Sequence, residues 1–388
     1  MKLESQPKLM LEQIYTHRPE RETSARYAAR MQGDSQGQTT MFDAFKATKY
    51  FGELDGLRAV SILLVITIHS KVYPLHALHG YNGVTIFFVL SGFLITTLLL
   101  REHAKNGRVA IGGFYIRRAF RILPLYYLAL GLTTAAVAVG FGTNPESYWP
   151  RLVYFLTYMN ELAPAGTFGH SWSLAIEEKF YLVWPLLAFV VPALWKWRAW
   201  TAGVLLAATS VVGLVLPAGY IGIYAPIVAG CVIAIAMDSP RSYAFVRRMA
   251  SPLAGVALAV VAVVVLLLSA NGGPNQVPFG LAFAALLPFL LIGPHWSRRW
   301  LRWKPLVFIG QRAYAVYLFH PLVGSVVEAV VPEPLEGAWA VVHMVLMLAL
   351  TLLLADLLFR FFERPLIKVG HRLAGKKKEP RALPAVTS

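Results

Sequence analysis

The stretch Leu54–Lys71, LDGLRAVSILLVITIHSK, is an apolar run with a charged beginning and one histidine near its end. Arg58 and His69 are eleven residues apart, so on one α-helix they point to the same side, separated by about 16 Å along the axis. Ionisable groups inside a membrane are costly and indicate a functional site by default. The alternative is structural: the arginine reaches the interface and the histidine bonds to a neighbouring helix.

The composition indicates a membrane protein. Of the 388 residues, 57% are hydrophobic and 14% are charged, whereas a soluble domain carries about 25% charged residues. The formal net charge of +16 does not indicate a partner nucleic acid, because the basic residues lie in short clusters between apolar runs. The one cysteine, Cys231, lies among small apolar residues and is typical of packing.

Runs long enough to cross a hydrocarbon core of about 30 Å predict ten spans. They lie at 57–75, 82–101, 121–141, 174–194, 199–216, 219–237, 250–270, 277–294, 306–328 and 338–362. The amphipathic piece Tyr148–Glu161 is too short to cross, and we expect it at the interface or re-entering. The fold class is therefore all-α, a polytopic membrane helix bundle of about ten transmembrane helices.

Loop charge predicts the orientation. With the N-terminus inside, the inner loops and tail hold 22 Lys and Arg residues, and the outer loops hold two, Lys71 and Arg151. By the positive-inside rule both termini are cytoplasmic. We expect a flexible cytoplasmic extension at 1–50, a transmembrane domain at 51–365 and a basic cytoplasmic tail at 366–388, in a bacterial cytoplasmic (inner) membrane.

The second motif is Phe114–Pro124, FYIRRAFRILP. Arg117, Arg118 and Arg121 share one side of a helix, and Pro124 predicts that an in-plane segment turns into the third span there. Three guanidinium groups on the cytoplasmic side suit the phosphates of a ligand, because arginine binds phosphate oxygens bidentately. Contact with lipid phosphates is the alternative.

The third motif is His170–Pro185, HSWSLAIEEKFYLVWP. His170 and Glu177 are seven residues apart and lie on one helix face, with Ser173 four residues before Glu177. Glu177 and Glu178 are expensive in an apolar span unless paired, and a carboxylate here could orient an imidazole, as in hydrolase triads. An interhelical polar clamp is the alternative.

The fourth motif is Gly310–Pro321, GQRAYAVYLFHP, which places His320 in the outer half of the ninth span. This histidine suits a substrate contact or a structural bond across helices. The chain has no P-loop, GxSxG, HExxH or CxxC motif, and its histidines lack metal-ligand spacing, so we expect no metal.

Together these motifs resemble the acyltransferase-3 family of integral-membrane O-acyltransferases. The resemblance covers about residues 51–365 and rests on five motifs in order: Leu54-Asp-Gly-Leu-Arg58 with His69, Phe87-Phe-Val-Leu-Ser-Gly-Phe-Leu-Ile95, Arg117-Arg-Ala-Phe-Arg-Ile-Leu-Pro124, Ser171-Trp-Ser-Leu-Ala-Ile-Glu-Glu-Lys-Phe-Tyr181 and Tyr314-Ala-Val-Tyr-Leu-Phe-His320. Some members carry an additional C-terminal hydrolase-like domain, and this sequence resembles the single-domain members.

The resemblance implies an acyl group, in the first place acetyl, moved from acetyl-CoA or another acyl-CoA to a hydroxyl of a glycan, a lipopolysaccharide or exopolysaccharide unit, or an exported small molecule. It implies His69 as the base, with Arg58 and Glu177 as further catalytic residues. Donor binding falls to Arg118, Arg121 and Arg117, and the secondary substrate-binding candidates are His170, Ser173, Glu178 and His320. The other expected partners are membrane lipids.

A transporter or flippase of a sugar or lipid-linked glycan is the rival interpretation, because intramembrane charges also mark transport paths. Such proteins are typically built from inverted repeats with broken helices, and no repeat of useful strength is visible in this sequence.

Overall fold

A computed structural model describes residues 41–48, 50–141, 145–163, 166–216, 220–269, 276–331 and 337–375. Within these ranges the regular structure is helical throughout and contains no strand. The predicted all-α fold class is therefore confirmed for the described part of the chain.

Fifteen α-helices make up the body of the described chain. They are α1 (Gly52–His69), α2 (Asn82–Asn106), α3 (Ile111–Ala138), α4 (Leu152–Leu156), α5 (Trp172–Phe189), α6 (Pro192–Lys196), α7 (Arg198–Val215), α8 (Tyr224–Ala236), α9 (Pro240–Met249), α10 (Pro252–Leu268), α11 (Val277–Ile292), α12 (His295–Arg299), α13 (Lys304–Glu328), α14 (Gly337–Leu358) and α15 (Arg364–Gly375). Short 3₁₀ turns lie between several of them, and a π-helical segment, Phe359–Glu363, joins α14 to α15.

Every one of the ten predicted spans falls on a helix. Five helices in the described chain are long and apolar enough to cross a membrane, and a sixth span results if α8 and α9, bent by 118°, count as one. Helices α10 and α11 are apolar but shorter, and α1 and α5 each carry three charged residues. Several spans thus support an integral membrane protein, while ten crossings and the orientation stay predictions.

Two local predictions were wrong. Pro124 lies inside the continuous helix α3 and does not begin it, which membrane helices tolerate because neighbouring groups satisfy the freed backbone. Beside the proline, the Tyr314 hydroxyl donates to the Ile122 carbonyl at 2.9 Å and joins α3 to α13. The first span ends at His69 and not at residue 75, because the Ser70 hydroxyl caps the last turn through the Thr67 carbonyl at 2.7 Å.

The ends of the predicted domains also differ locally. Residues 41–47, inside the expected flexible extension, form a short helix, while residues 1–40 lie outside the described residues. Helix α15 continues the helical body into the expected tail as far as Gly375, and residues 376–388 again lie outside the described part. A Cβ on Gly370 would lie 2.7 Å from the Phe120 side chain, so α15 packs closely on α3.

Helix α1 lies at the centre, in contact with α2 and α13. Glu53 and Asp55 in its first turn stabilise the positive end of the helix dipole, and every residue from Gly52 to Leu57 is buried. The backbones approach closely: a Cβ on Gly310 of α13 would lie 1.8 Å from the Asp55 carbonyl oxygen, and one on Gly56 would lie 2.1 Å from that of Leu301. Small residues permit such packing in lipid, where apolar burial does not drive helix association.

Candidate active site

A cavity of about 540 Å³ lies between α1, α2, α3, α5, α13 and the π-helical segment. We call it the arginine cavity, and its charged lining residues are Asp55, Arg58, Arg118, Arg121, Glu177, Glu178, Glu363 and Arg364. Its volume falls in the range of small-molecule sites. The structure thus brings together charged residues from three of the sequence motifs.

Arg58 is held in a network at the wall of this cavity. Its Nη1 donates to Asp55 Oδ1 at 2.8 Å, and the Tyr50 hydroxyl donates to Asp55 Oδ2 at 2.5 Å. Gln311 Nε2 in turn donates to the Tyr50 oxygen at 3.3 Å. Burial, reinforced by the bond to Asp55, raises the pKa of Tyr50, so the phenol stays a donor. The Arg58 guanidinium is therefore oriented before any ligand arrives.

The three arginines of the second motif separate. Arg118 and Arg121 line the arginine cavity, and the Arg118 guanidinium stacks on the Tyr181 ring at 3.6 Å from its centroid. The Arg118 Nε has no hydrogen-bond partner among the described residues. Arg117 instead pairs with Glu102 at 3.1 Å and does not line this cavity. Two arginines remain positioned for an anion.

The acidic pair of the third motif also separates from histidine. Ser91 donates a hydrogen bond to Glu177, and both residues line the arginine cavity together with Glu178. The neighbouring Lys179 turns away and pairs with Glu161 at 2.5 Å. No contact among the described residues joins Glu177 to an imidazole, so this carboxylate belongs to the arginine cavity.

A second cavity, of about 250 Å³, lies beyond the histidines, and we call it the histidine cavity. His69 and His170 line it, and the rest of its lining is uncharged: Thr133, Ala136, Val137, Phe141, Gly166, Thr167, Phe168, Leu318, Pro321, Leu322 and Ser325. His320 is completely buried next to it, with its ring centroid 4.6 Å from that of His69 and 5.5 Å from that of His170. Three elements thus bring three imidazoles into one cluster.

The backbone fixes the tautomer of two of these imidazoles. His69 Nδ1 lies 2.9 Å from the Val65 carbonyl oxygen, and His320 Nδ1 lies 2.9 Å from that of Tyr317. A carbonyl only accepts, so Nδ1 carries the hydrogen, and Nε2 of the neutral ring keeps its lone pair. His69 is exposed to the histidine cavity, whereas His320 Nε2 is buried without a partner among the described residues. Of these two imidazoles, His69 is therefore the one that can accept a proton from a group in that cavity.

A layer of hydrogen-bonded side chains separates the two cavities. The Tyr317 hydroxyl donates a hydrogen bond to the His170 carbonyl oxygen at 2.5 Å. Because its one proton is used there, the Tyr317 oxygen accepts the second bond, which Ser173 Oγ donates at 2.7 Å. Ser173 and Tyr317 line the arginine cavity, and His170 lines the histidine cavity. Because the Ser173 proton goes to a phenol with no basic partner, nothing in this arrangement activates Ser173 as a nucleophile.

Sequence reasoning missed four residues of the site: Asp55, Ser91, Tyr317 and Glu363. The first three stand inside motifs that were quoted. The partners of Ser91 and Tyr317 lie on other elements and show only in the packing, whereas Asp55 bonds to Arg58 on the same helix. Glu363 is 7% exposed and follows the π-helical turn, where its Oε1 has no partner among the described residues. Its FFERP context next to the basic tail was the available signal. No group of three or more His, Cys, Asp or Glu residues in the described chain is placed to hold a metal ion.

An all-helical bundle of apolar spans, with charged groups around one internal cavity and histidines around another, defines a polytopic membrane protein with an enclosed site. The chain belongs to the acyltransferase-3 family, whose acyltransferase domain matches residues 51–360. The peptidoglycan O-acetyltransferase OatA of Listeria monocytogenes is 30% identical over 366 residues, which are 83% of this chain and 56% of that protein.

YrhL of Bacillus subtilis, which bears the name peptidoglycan O-acetyltransferase provisionally, is 30% identical over 369 residues, or 86% of this chain and 57% of that protein. The chain thus spans little more than half the length of these curated relatives. No solved structure matches the chain significantly.

Proposed function

We propose that the protein transfers an acyl group, in the first place acetyl, from cytoplasmic acyl-CoA to a hydroxyl of a carbohydrate outside the membrane. The observation that carries this proposal is the pair of cavities on either side of one layer, one lined by arginines and the other by His69 and His170. The family membership and the names of the relatives support the reaction class.

The arginine cavity is the proposed donor site. Arg118 and Arg121 would bind the diphosphate of the donor, with Arg58 held ready by Asp55, because guanidinium groups match phosphate oxygens. The thin acyl-bearing arm would then extend toward Ser173 and Tyr317, which line the far wall of the same cavity. Glu177, which accepts a hydrogen bond from Ser91, would offset part of the repulsion between the arginines.

The acceptor hydroxyl would enter the histidine cavity. His69 Nε2 takes the hydroxyl proton while the oxygen attacks the thioester carbonyl carbon. The carbon–sulfur bond breaks, and the imidazolium returns the proton to the departing sulfur. The products are the acyl ester and the free thiol, and His69 ends as it began. Direct transfer fits the site better than an acyl-serine, because Ser173 lacks an adjacent base.

A neutral sugar is the acceptor that this cavity suits best. Apart from the two imidazoles, its walls present aliphatic and aromatic side chains, hydroxyls of threonine and serine, and a glycine, with no charged side chain. Cell-wall or other surface glycan is the acceptor class that we propose, in line with the names of the relatives. An acceptor of this class implies the bacterial cytoplasmic membrane as the location of the protein.

The test is mass spectrometry of cell-surface glycans and exported metabolites from cells with and without the protein. Each acetyl group that replaces a hydrogen adds about 42 Da to the glycan. We expect this added mass to disappear when the gene is removed, and also when His69→Ala is produced at a normal level. Glycans that keep every acyl mass without the protein, together with no transfer from acetyl-CoA by the purified protein, would disprove the proposal.

A further inference from the structure

A third pocket, of about 350 Å³, lies where the beginning of α1 meets the beginning of α13. We call it the basic pocket, and its lining residues are Tyr50, Gly52, Arg302, Lys304, Val307, Phe308, Gln311 and Arg312. It lies at the end of the bundle that the loop charges predict to be cytoplasmic. None of its three cationic side chains takes part in the site described above.

The charges around this pocket do not balance. Arg302 and Arg298 share one acid, Glu53, at 3.6 and 3.7 Å. Arg312 and Arg360 likewise share Asp356, at 2.6 and 2.7 Å. The fifth cation, Lys304, is exposed at the pocket and forms no ion pair within the described chain. Of the three cations that line the pocket, Arg302 and Arg312 each share an acid with an arginine outside it and Lys304 has none, so the excess of positive charge favours an anion.

The backbone adds to this excess. Lys304 is the first residue of α13, a helix of 25 residues, and the preceding Trp303 makes no side-chain capping bond. Pro305 has no N–H, and the Val307 amide bonds to the Trp303 carbonyl. The amides of Lys304 and Leu306 are therefore the ones left without an intrahelical partner. The helix dipole places partial positive charge beside Lys304. Phosphate groups bind at such helix ends. Tyr50, which is 56% exposed, also lines the pocket and supplies an aromatic ring.

The basic pocket adjoins the arginine cavity, because Tyr50 and Gln311 line both. Coenzyme A carries a diphosphate and, at its nucleotide end, a separate phosphate monoester on the ribose. We propose that the basic pocket binds this ribose phosphate through Lys304 and Arg302 while the diphosphate lies on Arg118 and Arg121. This inference rests on the proposed function, and it assigns the nucleotide end of the donor to residues outside the recognised motifs.

The test compares coenzyme A with 3′-dephospho-coenzyme A in binding to the purified full-length protein. We expect the wild type to bind coenzyme A about tenfold to a hundredfold more tightly, the range for one charge-assisted contact. Lys304→Ala should remove most of that preference and leave the affinity for the dephospho form unchanged. Lys304→Arg should retain it, and Arg299→Ala, which removes an exposed charge nearby outside the pocket, should have no effect.

The outcomes are distinct. A wild type without preference, or a preference that survives Lys304→Ala, overturns the inference. Loss of co-purified anionic phospholipid with Lys304→Ala, at an unchanged ligand preference, would assign the pocket to a lipid headgroup instead. If the wild type binds neither ligand, the acyl-CoA donor itself is wrong, so failure of the proposed function is recognised separately.

Discussion

The arginine cavity and the histidine cavity are built on opposite principles. In the first, charged groups are numerous and several are already engaged, as in the Arg58–Asp55–Tyr50 network and the Glu177–Ser91 bond. In the second, no charged side chain of the described residues lines the wall, and two imidazoles supply its strongest bases. The first is suited to a ligand of fixed charge, and the second is suited to a neutral ligand that loses a proton.

The difference shows that a buried cation and a buried neutral base need different neighbouring groups to stabilise them. A site that binds a permanent anion needs cations that are oriented beforehand. A buried arginine is stable in one orientation only when acids and hydroxyls bond to it. Proton transfer needs one uncharged base with a free lone pair, which a backbone carbonyl can set by fixing the tautomer. The hydrogen-bonded layer of Ser173 and Tyr317 keeps these two environments apart.

The largest expected effect concerns the side of the membrane on which each cavity opens. Cysteine placed at Lys71, next to His69, should react with an impermeant thiol reagent in intact cells, and cysteine at Lys105 should react only after permeabilisation. Lys105 is exposed, the Lys71 side chain is 40% exposed, and the loop charges predict opposite sides. Reversed labelling would place the arginine cavity away from the cytoplasm and so exclude a cytoplasmic donor there.

The next prediction tests the base. A positioned general base contributes about 10²–10⁴ in rate, so His69→Ala should lose at least a hundredfold in transfer while acyl-CoA binding persists. His69→Gln retains size and hydrogen bonding but takes up no proton, and it should be equally inactive. Turnover of the Gln variant close to that of the wild type would make His69 structural and direct attention to His170.

The third prediction tests the arginine cavity with a matched control. Arg118→Lys and Arg121→Lys keep the charge but lose the planar fork, so each should weaken acyl-CoA binding by about tenfold to a hundredfold. Arg117→Lys changes a residue of the same helix that pairs with Glu102 outside the cavity, and it should change binding by less than about threefold. Equal effects at all three positions would show a general response to the basic cluster and no cavity-specific binding.

The smallest effect is expected at the layer between the cavities. Tyr317→Phe keeps the ring but removes the hydroxyl that bonds the His170 carbonyl and Ser173. One or two hydrogen bonds of about 1 kcal/mol each predict a loss of about fivefold to thirtyfold in transfer. Hydrolysis of acyl-CoA without acceptor should rise, because water passes a loosened layer more easily. An unchanged ratio of hydrolysis to transfer would show that Tyr317 does not keep water from the acyl-CoA.

The sequence predicted the features that depend on periodicity along one helix. Arg58 and His69 do lie on one continuous helix, and the apolar runs do fall on helices. The resemblance to the acyltransferase-3 family is confirmed. These features follow from residue spacing and local composition, which do not depend on how the helices are arranged.

The features that depend on arrangement could not be predicted. Spacing grouped Arg117 with Arg118, but the pairing of Arg117 with Glu102 removes it from the cavity. The seven-residue spacing of His170 and Glu177 predicted a pair, but His170 precedes α5 in a 3₁₀ turn and the two residues line different cavities. Pro124 was expected to break α3, because sequence alone does not show that neighbouring helices pack around α3 and keep it continuous.

The close backbone approach at Gly56 and Gly310 has a consequence for the energy source of the reaction. Such close packing resists sliding of α1 past α13, so we expect α1 to stay in place during the reaction. Under the proposed function only the acyl group passes the layer, and an uncharged group does no work against the membrane potential. The thioester alone therefore drives the export of the acyl group, and vesicles without an ion gradient should support it at full rate.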